Sequence, residues 1–317
     1  MPENQPAMPF FIILNAASGH KEAGDTQAII SRVMREAGRE HHLRLVENPV
    51  DLADIARAAV AEANKVGGAV VVAGGDGTIN TVANAVLASA CPLGVLPSGT
   101  FNYFGRTHHI PEETQEAVRM LLTARPQPVQ VGLVNDRIFL VNASLGLYPT
   151  LLEDREAWKK QYGRSRMVAV WAGLASVVRA RRQLRLQLDT DGKVTQWRTP
   201  TLFVGNNKLQ MQQIGMAEAD ALDEGFLVAI APRPVGTISL LWLVLRGALG
   251  SLGDDTNVRS FAMRELVVTR SIGRNRSRIV KVAVDGEVLQ LHEPLRFSVS
   301  PQPLYLLKNG ESTGGAE

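Results

Sequence analysis

Apolar and polar positions alternate between two periods over the first 130 residues. Short apolar runs at Phe10–Leu14, Ala69–Ala73 and Leu93–Leu96, with a half-polar run at His42–Val46, predict strands. Between them, Thr26–Ala37, Leu52–Asn64 and Thr78–Ala90 gather their apolar residues on one helical face and predict helices. Strands alternating with helices of that length predict βαβ units and a mainly parallel sheet. Ligands on such sheets sit at the carboxyl ends of the strands. Asn15–Gly19, Gly74–Thr78 and Pro97–Asn102 each follow a strand directly, so all three polar loops are expected on one edge of the sheet.

The pattern changes at Arg125-Pro126-Gln127-Pro128, which reads as a boundary. Beyond it, strand-like runs recur at Val129–Val134, Ile138–Asn142, Leu184–Leu188, Pro200–Val204, Phe226–Ile230, Leu266–Thr269, Ile279–Val284 and Leu295–Val299. Asp191-Gly192 and Asp285-Gly286 are hairpin signals between such runs. These features predict an antiparallel sandwich or barrel, with helices near 150–183 and 236–250. The expected division is an α/β domain over 1–128 and a β-sandwich domain over 129–309, with a last strand near 303–308 able to return to the first domain. The tail 310–317, rich in Gly, Ser and Thr, is expected to be disordered.

Composition alters this picture in three places. The net charge is only +3, but from Arg155 to Arg185 nine basic residues face a single acid, Glu156. That segment carries +8 and the remainder −5, which suggests an anionic partner such as a membrane surface. Stacking aromatics at useful spacing are missing from it, so nucleic acid is not expected. Cys91 is the only cysteine, which excludes a disulfide framework and a thiolate metal cluster and fits a reduced, cytoplasmic setting. No signal-peptide pattern is expected at Met1–Pro9. The apolar window Val235–Leu252 is interrupted by Arg246 and three glycines, so a core or interfacial helix is expected rather than a membrane span. The stripe Trp171, Leu174 and Val178 fits core or channel lining, and His41, His42, His108 and His109 fit surface or capping positions.

The chemistry concentrates at Gly74-Gly75-Asp76-Gly77-Thr78-Ile79-Asn80. A strand that runs into glycines and then a helix presents backbone N–H groups to a phosphate, and the glycines let the ligand approach. Asn15 ends the first strand, Pro97-Ser98-Gly99-Thr100-Phe101-Asn102 ends the fourth, and Asp285-Gly286-Glu287 sets two carboxylates in a tight turn. Taken in this order, these motifs resemble the diacylglycerol kinase catalytic family, including the bacterial soluble lipid kinases and the sphingosine and ceramide kinases. The resemblance spans roughly residues 9 to 308.

It implies an α/β nucleotide domain followed by a β-sandwich, with the active site in the cleft between them. It further implies ATP bound by Gly74 through Asn80 and Thr100, with Asn15, Ser98, Gly99 and Asn102 beside them. Asp285 is then the general base toward a lipid hydroxyl, and Glu287 its neighbour in orienting that hydroxyl or supporting a metal. A family turn that binds magnesium corresponds to Ala221–Phe226, with Glu224 in the usual aspartate position and the carbonyls of Ala221 and Phe226 beside it. Departures from the family pattern are Ala16, Val46, Thr81, Tyr103 and Glu224 itself. The expected activity is ATP- and Mg2+-dependent phosphorylation of diacylglycerol or a related amphiphile, by a protein that touches the inner face of the membrane. An NAD-kinase-like activity and a lipid- or nucleotide-binding regulator are the alternatives, and homodimerisation is left open.

Overall fold

Strands with both faces covered dominate the first sheet of the computed structural model. β1 (Phe10–Asn15), β3 (Ala69–Gly74) and β4 (Leu93–Pro97) are buried almost throughout, as their unbroken apolar runs require of central parallel strands. β2 (His41–Val46) is half-exposed and closes one edge. β5 (Arg125–Val129) closes the other edge, paired antiparallel to β18 (Leu304–Lys308), which in turn runs parallel to β4. The order is β2-β1-β3-β4-β18-β5. The prolines that mark a boundary in the sequence thus lie in an edge strand, where a missing N–H is tolerated.

The structure describes residues 8–16, 20–99, 101–153, 183–190, 192–270 and 278–310. Two units are distinguished: Met1–Gln130 with Pro301–Glu317, and Val131–Ser300. The expected helix beyond 153, the stripe at Trp171, the basic residues 155–182, Thr100, Asp191 and the tail from 311 lie outside the described residues.

In the first unit, α1 (His20–Glu36), α2 (Leu52–Val66), α3 (Asp76–Leu87) and α5 (Thr114–Thr123) accompany the sheet, with a short α4 (Tyr103–Thr107) between the last two. α2 turns mostly alanines inward (Ala56, Ala59, Ala63), and α3 buries Ile79, Val82, Ala83 and Val86. Each fully buried Val or Ile contributes about 1.5–3 kcal/mol. Register places Leu14 beside Ala73 and Gly74 beside Pro97, so the loops after β1, β3 and β4 emerge side by side.

The second unit holds two six-stranded antiparallel sheets. One runs β10 (Lys193–Thr199), β9 (Leu184–Thr190), β14 (Glu265–Arg270), β17 (Leu295–Val299), β6 (Gly132–Val134) and β7 (Arg137–Phe139). The other runs β13 (Val258–Met263), β12 (Leu227–Pro232), β11 (Thr201–Gly205), β8 (Asn142–Gly146), β15 (Ile279–Val284) and β16 (Glu287–His292). Phe139, Leu186, Leu266 and Phe297 from the first sheet and Leu145, Leu202, Val204 and Val282 from the second share one core, which makes the unit a sandwich rather than a barrel.

Two runs that read as single strands are divided. Val129–Val134 splits between β5 and β6, and Ile138–Asn142 between β7 and β8. The second break has a visible cause: the N–H groups of Leu140, Val141 and Asn142 turn to the Asp285 carboxylate instead of a strand partner.

Candidate functional site

Three loops build the N-terminal end of α3. Gly75 precedes the helix in extended conformation, and no side chain caps it. Its carbonyl accepts the Ile79 N–H at 3.0 Å, and the Gly74 carbonyl accepts the Ser98 N–H at 3.0 Å. The first N–H groups of a helix find no acceptor within it and carry positive partial charge. Here they belong to Asp76, Gly77 and Thr78. A Cβ on Gly74 would lie 2.7 Å from both Cβ and Cγ2 of Thr78, and one on Gly75 would lie 3.1 Å from the Ser98 carbonyl. A side chain at Gly74 would force Thr78 to shift, and one at Gly75 would press on the Ser98 carbonyl.

Asn15 donates from Nδ2 to Thr78 Oγ1 at 2.8 Å, which ties the end of β1 to the first turn of α3. Asp76 links this turn to the next loop. Its carboxylate accepts the N–H groups of Tyr103 and Phe104, each at 3.3 Å, and so caps α4. Burial raises its pKa, and these two N–H bonds oppose that rise. Asn102 has φ +46° and donates from Nδ2 to the Gly99 carbonyl at 3.0 Å. Its Oδ1 is buried and has no acceptor's partner in the described residues. Gly99, at φ +121°, adopts a conformation that side chains disfavour. Ile79 is fully buried and serves packing, while Asn80 is half-buried on α3 and Ser98 is exposed.

One feature here escapes the sequence reading. The rings of Phe101 and Tyr103 stack at 5.9 Å with an interplanar angle of 6°. Phe101 is exposed, so an aromatic face borders the loop. His108 is the C-cap residue of α4, as the capping expectation has it, and is half-buried, its ring packing edge-on against Phe104 at 4.8 Å. Burial, reinforced by the charge of Lys308, lowers its pKa to about 3.

In the second unit, Asp285 and Gly286 form the turn from β15 to β16, with φ +45° and +90°. Two successive positive φ values are those of a tight hairpin turn, and Asp is among the few side chains that accept them. The Asp285 carboxylate accepts three backbone N–H groups: Leu140 on Oδ2 at 2.7 Å, and Val141 and Asn142 on Oδ1 at 2.9 Å each. Its own N–H donates to the Asn142 carbonyl at 2.9 Å. Charge-assisted bonds of this kind fix the plane of a carboxylate. Glu287 begins β16 and is exposed.

A polar cluster supports this cradle. Asn206 donates to the Leu140 carbonyl from its side chain at 3.2 Å and to that of Val141 from its backbone at 2.8 Å. Asn142 Nδ2 donates to Gln210 Oε1 at 3.1 Å, while Asn142 Oδ1 and Ser144 Oγ are buried with no partner among the described residues. Asn207 caps the helix Lys208–Gln213 by accepting the Gln210 N–H at 2.9 Å. The consecutive asparagines after an apolar strand were the available signal.

The turn Ala221–Phe226 closes a short 3-10 helix, Ala217–Glu224. Several of its oxygens already have partners within the protein. The Ala221 carbonyl already accepts the N–H groups of Gly225 and Phe226. The ammonium of Lys208 bridges Asp223 and Asp220, and these two carboxylates hold it well above the usual lysine range. The Arg264 guanidinium covers the Phe226 ring at 4.8 Å. Glu224 is exposed, and no group of three His, Cys, Asp or Glu side chains suited to a metal occurs among the described residues. The carboxylates that Lys208 pairs with are Asp220 and Asp223, beside Glu224, the expected metal ligand.

Similar proteins are found along most of the chain. The diacylglycerol kinase catalytic domain profile matches residues 9–134. A Pseudomonas aeruginosa (strain UCBPP-PA14) protein named "Probable lipid kinase YegS-like" is 32% identical over 294 residues, 90% of each chain. A Pseudomonas putida KT2440 protein of the same name is 32% identical over 252 residues, covering 78% of this chain and 79% of its own. In fold, a Bacillus anthracis str. Sterne protein crystallised as a candidate diacylglycerol kinase matches with TM-score 0.73 at 19% identity, over 96% of this chain and 99% of that one. With its glycine loop, its Asp285 turn and a relative similar along nine-tenths of its length, this chain belongs to the diacylglycerol kinase catalytic-domain family, beside the YegS-like lipid kinases.

Proposed function

We propose that the chain transfers the γ-phosphoryl group of ATP to the hydroxyl of a lipid, diacylglycerol or a related amphiphile. The observation that supports this most is the uncapped N-terminus of α3 at the carboxyl end of β3. It lies where the strand order turns back, between β1 and β3, the position at which open α/β sheets bind ligands. The backbone N–H groups of Asp76, Gly77 and Thr78 hold phosphate oxygens, and the helix dipole favours their charge. Asn102 Oδ1, a buried acceptor awaiting a donor, takes a ribose hydroxyl or a bound water. Magnesium arrives bound to ATP as part of the substrate and neutralises its phosphates.

Asp285 accepts the proton of the lipid hydroxyl as the hydroxyl oxygen bonds to the γ-phosphorus. The bond from that phosphorus to the β-phosphate oxygen breaks, and ADP leaves. Glu287, two residues on, orients the acceptor hydroxyl. Phosphoryl transfer is mostly positioning and charge stabilisation, and a carboxylate fixed by three backbone donors suits such a task. The test offers labelled ATP, magnesium and a total lipid extract, with NAD as a parallel acceptor. A labelled lipid phosphate is expected. Label on NAD instead, or on no lipid at all, overturns the proposal.

A further inference from the structure

The helix Thr237–Ala248 is apolar on both of its long faces, yet among the described residues only one of them is packed. Leu240 and Leu243 are buried, and Leu240 joins Leu147 in a small cluster flanked by Leu151, Val235 and Leu241. On the other face, Ile238 is 85% exposed, Trp242 55%, Leu245 47% and Leu249, one residue past the end, 70%. Steps of four, three and four residues put these side chains on a single stripe. Elsewhere among the described residues, large exposed apolar side chains are scattered. A contiguous apolar stripe marks a surface that something else covers.

We infer that this stripe docks on an anionic lipid bilayer. Trp242 at its centre is the side chain most at home at a membrane–water interface. Of the two arginines near this helix, Arg246 is ion-paired with Asp255 at 3.1 Å, so Arg233 supplies the positive charge beside the stripe. Arg233 is exposed just ahead of the helix. The helical stretch 147–153, whose Leu147 and Leu151 pack against this same helix, leads directly into the run that carries nine basic residues against one acid. Apolar insertion with basic charge alongside is the pattern by which helices lie in the plane of anionic membranes. No described helix is long and apolar enough to cross one. The inference rests on the lipid-kinase reading only in explaining why docking would be useful, because a lipid acceptor must be met at a bilayer.

The test is co-sedimentation of the full chain, without ATP, with vesicles of phosphatidylglycerol and phosphatidylcholine or of phosphatidylcholine alone. Binding to the anionic vesicles is expected, weakened by salt. In the double variant Ile238→Asp, Leu245→Asp it should fall by about tenfold or more. Brominated acyl chains should quench the fluorescence of the parent, and Trp242→Phe should remove that quenching, a readout that survives should the double variant fold poorly. Failure of the parent to bind anionic vesicles overturns the inference, as does equal binding by the double variant. A parent dimer dissociated by the aspartates would show that a second copy covers the stripe, and overturns it too. Transfer from labelled ATP is scored separately on the parent. Vesicle binding without transfer leaves the stripe standing against the kinase reading, and transfer without vesicle binding does the reverse.

Discussion

Replacing Asp285 by asparagine should damage the protein before any chemistry is considered. An amide keeps one acceptor oxygen and turns the other into a donor. If the remaining oxygen takes the place of Oδ1, the bonds from Val141 and Asn142 survive, but an NH2 then faces the Leu140 N–H across 2.7 Å. If it takes the place of Oδ2, two bonds are lost instead of one. A bond to a charged acceptor contributes about 1.5–3 kcal/mol, and an unsatisfied buried donor costs about 1–3 kcal/mol. Leu140 and Val141 are both buried, so water cannot readily fill the gap. Because these contributions do not simply add, the expected loss is about 2–4 kcal/mol. For a unit of this size that lowers the melting temperature by about 5–15 °C. Thermal unfolding of Asp285→Asn beside Glu287→Gln provides the assay, since Glu287 is exposed and its variant should melt with the parent. If Asp285→Asn also melts with the parent, the carboxylate does not carry three backbone bonds and the geometric argument is wrong. Activity of Asp285→Asn must therefore be read well below its own melting point. There, a kcat at least about 100-fold lower, with ATP affinity intact, would support a proton-accepting role.

Other perturbations reach the remaining features. Gly74→Ala should weaken ATP binding in calorimetry by about tenfold or more, because its Cβ meets Thr78, whereas Gly24→Ala, with open space around its Cβ, should bind like the parent; equal affinities would remove the glycine loop from the site. His108 is held neutral, its pKa lowered from 6.5 to about 3, so the stability it allows is complete above pH 6.5 and is lost as pH falls toward 3. Urea unfolding of His108→Gln should accordingly show a shallower decline between those pH values than the parent, and parallel declines would refute the assignment. If Glu224 anchors a magnesium ion in the Ala221–Phe226 turn, magnesium at 100 times its Kd should add about 2.7 kcal/mol and raise the melting temperature of the parent but not of Glu224→Gln; equal shifts, or none, would remove that turn as a metal site.

What the sequence makes legible follows from where each residue gets its partners. Central strands such as Val70–Val72 are buried on both faces, so their apolar runs survive as plain text. β10, β13 and β16 escape prediction because each lies at a sheet edge and is only half-covered, which leaves too weak an alternation. The glycine loop is readable because its demand is local: the side chain that excludes a Cβ at Gly74 is Thr78, four residues away. Asp76 is not, since its use depends on Tyr103 and Phe104 arriving from another loop. Asp285 combines both cases. Its positive φ is announced by the Gly that follows, while its three donors come from about 145 residues upstream and carry no signature, being backbone. The turn at Ala221–Phe226 is legible as a turn, but the ion pairs that Lys208 makes with Asp220 and Asp223 from upstream carry no signal in its letters. The helix Thr237–Ala248 defeats periodicity altogether: both faces are apolar, so hydrophobicity alone cannot say which one meets the protein. Only the packing of Leu240 and Leu243 decides that, and in deciding it leaves Ile238, Trp242, Leu245 and Leu249 exposed.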